Sequence, residues 1–138
     1  MRPDRRRAAA GIVAALALSA IVGCTNETAA RPAPAPPAAP IDPAVASAQV
    51  RSFFAAVEGR DCDAIVGRLP GVQDAAECAD FLEDAEHHGL RLIDIVDSRV
   101  DGRDPRSAVV RVGVQKGGRP RQIMVRATLR EGRWTFVL

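Results

Sequence analysis

Six prolines fall between Pro32 and Pro43, and they decide where this chain can fold. Proline fixes φ and donates no backbone hydrogen bond, so the stretch can build neither a helix interior nor a central strand. An Ala-Pro run of this kind is extended and semi-rigid. At about 3.1 Å per residue, residues 25–43 reach roughly 50–60 Å. The sequence is therefore read in three parts: a leader over residues 1–23, a cysteine and tether over 24–43, and one folded domain over 44–138. The last part suits a single domain with an adequate core.

The leader carries Arg2, Arg5, Arg6 and Arg7 against Asp4 alone, followed by an almost wholly apolar run from Ala8 to Val22. That run is about 15 residues, the length of a signal h-region and short of the roughly 20 that span a bilayer. It closes on Ile21-Val22-Gly23-Cys24, which resembles the bacterial lipobox. The resemblance implies cleavage before Cys24 and acylation of that cysteine. Two or three acyl chains at about 0.8 kcal/mol per buried methylene anchor a protein stably. The implied place is the cell envelope, on the outer face of the cytoplasmic membrane or on the outer membrane, with membrane lipid as the first partner. The alternative is an ordinary secretory signal or an uncleaved anchor with a chance cysteine.

In the folded part the spacing predicts helices first. Asp42 is an N-cap with Pro43 at the first helical position. Ala46, Val50, Phe53, Phe54 and Val57 then recur on one face, with Gly59 as the stop. Asp61 caps a short second helix with Cys62, Ile65, Val66 and Leu69 on one side, ended by Pro70-Gly71. Asp74 and Glu77 form a capping box for a third helix. Ala75, Cys78, Phe81, Leu82 and Ala85 would point inward, and Gly89 closes it. Strands follow. Leu90 to Val100 is β-rich with its alternation broken near Leu92-Ile93, which predicts a bulge. Ala108, Val110, Val112 and Val114 alternate with exposed positions, as do Ile123, Val125, Ala127 and Leu129. Gly117-Gly118 and Glu131-Gly132 mark hairpin turns, and Trp134, Phe136 and Leu138 share a face of the last strand.

The expected class is α+β, with N-terminal helices packed on a curved antiparallel sheet of about four strands. The segment Val50 to Asp61, the Cys62/Cys78 helical region and Glu131-Gly132-Arg133-Trp134-Thr135-Phe136 resemble the nuclear transport factor 2-like lipoprotein domains of bacteria, a cystatin-like α+β cone. The resemblance implies a cone-like sheet, here one strand short, and hence a shallow or open pocket. That fold hosts isomerases, dehydratases, binding modules and assembly domains, so it does not choose a function.

Cys62 and Cys78 lie on the core-facing stripes of helices joined by a short turn. Export puts both in an oxidising space, which predicts a disulfide; two buried free thiols are the other reading. His87-His88 suits a helix C-terminus. A metal site with Glu83, Asp84 or Glu86 is disfavoured because adjacent histidines point about 100° apart on a helix. Asp94 and Asp97 could supply a general base, but three residues apart they should face opposite sides of a regular strand. The chain has no Tyr to serve as an oxyanion donor, and no phosphate loop or nucleophile elbow. No cofactor is expected.

Charge divides between the halves. Residues 44–89 hold 3 Lys/Arg and 9 Asp/Glu, whereas 90–138 hold 11 and 5. Arg111, Lys116, Arg119, Arg121, Arg126, Arg130 and Arg133 could therefore form a basic sheet face. Arg121, Arg126 and Arg130 are its candidate contacts with an envelope protein, a cell-wall polymer or an anionic lipid surface. A solvated face that discourages edge aggregation is the plainer reading. Nucleic acid is not expected, since the basic face lacks stacking aromatics. Taken together, the sequence predicts a non-catalytic binding or assembly module on a membrane tether. The alternatives are a carrier of a small hydrophobic ligand in the concave sheet face, and a small isomerase or dehydratase.

Overall fold

Asp42 starts the first element as its residue type dictates. Its carboxylate accepts from the Ala44 N–H at 2.8 Å, and Pro43 fills the first turn of α1 (Pro43–Glu58). The structure, a computed structural model, describes residues 34–138. The predicted signal peptide, the Cys24 lipidation and the tether up to residue 33 lie outside the described residues. Two further helices follow, α2 (Cys62–Ile65) and α3 (Ala75–His87). Four strands complete the domain: β1 (Arg91–Asp101), β2 (Asp104–Lys116), β3 (Arg119–Arg130) and β4 (Arg133–Val137). They form one antiparallel meander in the order β1-β2-β3-β4. The α+β class and the helix-then-strand order are as expected.

The core lies between the helices and one sheet face. Ala46, Val50, Phe53, Phe54 and Val57 of α1 are buried as predicted. They meet the inward side chains Ala108, Val110, Val112, Val114, Val125, Ala127 and Phe136. Phe53 packs against Phe136 with ring centroids 4.9 Å apart, and against Phe54 at 5.5 Å. Rings of this size bury about 150–250 Å² each and dominate a small core. Cys62 and Cys78 are disulfide-bonded, with Cα atoms 5.8 Å apart.

Several local expectations are corrected. Gly59 does not take the left-handed position that ends α1; it is the C-cap at φ −78°, and Arg60 sits beyond it at φ 56°. Arg60 and Asp61 donate back to Val57 and Ala56, so the closure is a Schellman motif built on an arginine. The second helix ends at Ile65, one turn long, because Val66 turns extended and Gly67 adopts φ 73°. Ala75 is exposed, since it occupies the first turn of α3 beyond the reach of the core. The capping box is shifted: Asp74 accepts from the Glu77 N–H, but Glu77 reaches past Asp74 to the Gln73 N–H at 2.6 Å.

Both sheet ends are tied down. The Ile41 N–H donates to the Pro105 carbonyl at 2.8 Å, and the Ser98 hydroxyl to the Pro43 carbonyl at 2.9 Å. At the β4 edge, the Phe136 N–H donates to the Arg68 carbonyl at 2.7 Å. The α2–α3 loop thereby covers part of an edge that would otherwise offer unpaired backbone.

Candidate functional site

Strand register decides which residues share the outer sheet face. In β1 the pairing slips between Leu92 and Asp94 and again between Ile95 and Asp97. The first slip is the bulge predicted at Leu92-Ile93. The second overturns an expectation. One extra residue, Val96, separates Asp94 from Asp97, so Asp94 pairs with Gly113 and Asp97 with Arg111. Gly113 and Arg111 are two apart on β2, so both aspartates face outward together. Asp94 lies over Gly113, where an added Cβ would collide with its carboxylate. Asp97 is ion-paired with Arg111.

The two central arginines are on this outer face, opposite Val109 and beside β4, as expected for Arg126 and Arg130. They are not free. Arg126 reaches across β2 to Asp101, Nη2 to Oδ2 at 2.9 Å. The Asp101 side chain is only 9% exposed, while its Oδ1 accepts from the Arg103 N–H at 3.0 Å. The arginine contact joins the charges without hydrogen-bond alignment, so Oδ2 has no donor. Arg130 stands by Asp104, whose carboxyl is held below the usual aspartate value by the Ser107 hydroxyl, the Arg106 N–H and then the Arg130 charge. Ser107 Oγ is 2.7 Å from Asp104 Oδ2 and 2.7 Å from Thr128 Oγ1. Thr128, expected outside, is consequently buried.

Arg121 is separated from the other two candidates. It pairs with Val114 and so belongs to the inner-face row, where it is exposed near the C-terminal end of α3. There it lines a solvent-open hollow with His88, Lys116, Gly117, Arg119 and Ile123.

The outer face also carries Arg99 and Gln122, and exposed apolar side chains among them. Met124, opposite Arg111, is 64% exposed, and Ile93, Val96 and Val137 are also exposed. This surface mixes aliphatic side chains with crossed ion pairs, and the core does not use it. Sequence reasoning missed Asp101 and Asp104 as neutralising partners. Both were legible as carboxylates at the β1–β2 turn, but their reach depends on a further register slip between Val100 and Asp101.

The histidines do not converge. His88 Nδ1 lies 2.9 Å from the Asp84 carbonyl, and the two rings are perpendicular at 88°. Among the described residues no three His, Cys, Asp or Glu side chains gather as a metal site would require, and no helix is long and apolar enough to cross a membrane. No protein-family model, curated protein or solved structure matches the chain.

Proposed function

We propose that this chain is a membrane-anchored envelope lipoprotein, acylated on Cys24, that holds its α+β domain out on a Pro/Ala tether as a non-catalytic binding or assembly module. The domain is taken as a reduced, cone-like relative of the nuclear transport factor 2-like fold. The observation that carries the module reading is the outer sheet face: Ile93, Val96, Met124 and Val137 exposed between the Asp97–Arg111 and Asp101–Arg126 pairs, with no described element packed over them. Apolar centres rimmed by charge are the composition of protein–protein contact patches.

The same geometry speaks against catalysis and carriage. Asp94 and Asp97 stand on an open face, one over a glycine and one on an arginine, with no described element to exclude water. The inner sheet face that would hold a hydrophobic ligand is occupied by α1 and its phenylalanines.

Two measurements test this. Metabolic palmitate should label the wild-type chain and not Cys24→Ala; equal labelling of both removes the anchor. A photocross-linker placed at Met124 should capture a discrete envelope partner, and Val137→Asp should abolish the adduct while leaving the fold intact. Absence of any adduct on the native envelope removes the outer face as the contact.

A further inference from the structure

From Pro105 to Arg130 the chain has no Asp or Glu and seven cations: Arg106, Arg111, Lys116, Arg119, Arg121, Arg126 and Arg130. The fold treats them unequally. Carboxylates on β1 and its turn reach Arg111 and Arg126, and Asp104 sits by Arg130. At the far end of the same hairpin, Lys116, Arg119 and Arg121 form no ion pair with any described residue.

Those three share one side. Lys116 pairs with Arg119 across the turn, and Arg121 pairs with Val114. By the two-residue alternation all three continue the inward row of Val112, Val114 and Ile123. Past the buried Val114 the row emerges into solvent beside the C-terminal end of α3, where Lys116, Arg119 and Arg121 are exposed over a hollow of about 610 Å³ bounded by His88 and Ile123. The tip is held in place: Gly117 and Gly118 take φ 60° and 74°, and the Gly117 N–H donates to the His88 carbonyl at 2.6 Å. The C-terminal end of α3 accounts for part of this positive charge, but a helix terminus carries only about half an elementary charge.

We propose that the β2–β3 hairpin tip is a binding site for a linear polyanion of the cell wall, with Lys116, Arg119 and Arg121 seating successive phosphate groups. This rests on the envelope placement proposed above. The cations are exposed, so each contact with a small free anion is screened and weak. A polymer gathers several such contacts at one entropic cost. Position argues for the wall over the anchoring bilayer. The tether joins the domain at the opposite end, where Ile41 meets Pro105. The 13 residues of β2 place the tip about 40 Å from that junction.

The test uses the mature chain from Thr25 to Leu138, without the leader and Cys24, so that neither an acyl group nor the apolar run Ala8–Val22 confounds lipid binding. It is sedimented with isolated cell walls that carry phosphodiester polymer, with walls from which that polymer has been extracted, and with vesicles of equimolar phosphatidylglycerol and phosphatidylcholine. The chain should sediment with the intact walls, far less with extracted walls, and release as salt rises. A Lys116→Gln, Arg119→Gln, Arg121→Gln variant should bind intact walls about tenfold more weakly or worse, at an unchanged thermal midpoint. Arg51→Gln, which removes an exposed cation on α1, should bind as the parent does. Undiminished binding by the triple variant, stronger binding to vesicles than to walls, or no wall binding at all would each overturn the proposal. None of these outcomes touches the palmitate result, so the anchor reading stands or falls separately.

Discussion

Arg60 shows how a single residue can work against its own backbone. It occupies φ 56°, a region that costs an ordinary L-residue roughly 1–2 kcal/mol. Its side chain is ion-paired with Glu86 across more than half-exposed surface, which returns little. Arg60→Gly should therefore raise stability, by up to about 1 kcal/mol in urea unfolding. Asp104 gives the opposite kind of case. Its native pKa lies below the usual 3.8, so its contribution is complete above that value and is lost as pH falls through the native one. Asp104→Asn should flatten the acid limb of the stability profile, measured by thermal midpoint from neutrality to strongly acid pH. A variant as acid-sensitive as the wild type would show that the Ser107 and Arg106 contacts do not discriminate between the charged and neutral carboxyl.

Among the elements, helices were more legible than strand faces. The caps Asp42, Asp61 and Asp74 all hold the N–H groups their positions imply, because capping is a local interaction within three residues. The α1 core face followed from spacing alone. What failed was set by partners distant in sequence. Asp94 and Asp97 share a face because of Val96, and nothing in Ile95-Val96-Asp97 announces a second bulge. Arg126 lost its freedom to Asp101, two strands away in space. The disulfide was legible because both cysteines fall on core-facing stripes and the closed loop is short. It joins residues 16 apart on either side of the loop that shields β4. Cys62→Ser with Cys78→Ser should cost about 3 kcal/mol, read as a shift in the denaturant midpoint. The β4 edge should exchange its amides faster than β2, and uniform exchange across the sheet would disconnect the crosslink from the edge.

At the scale of the whole molecule, one aromatic joins the layers. Phe136 is fully buried, stacks on Phe53, and sits on the strand whose N–H group anchors the α2–α3 loop. Phe136→Ala should cost about 3–5 kcal/mol, enough to unfold much of so small a domain at body temperature. A loss under 1 kcal/mol would mean that α1 is held by its contacts with β1 and β2 alone. Charge is organised at this scale too. The acid-rich helices and base-rich strands are not two blocks facing each other; Arg111 and Arg126 at mid-sheet are paired within the sheet, while Lys116, Arg119 and Arg121 gather at one tip.

The pair of hydrogen bonds that fastens Ile41 to Pro105 and Pro43 to Ser98 has a mechanical consequence. Any tug transmitted along the residues before Ile41 is borne first by those two bonds. They pass the load to β2 and β1 until they rupture, and their loss frees the start of α1 without parting any strand pair. The linkage thus acts as a fuse, yielding under tension before the strands separate.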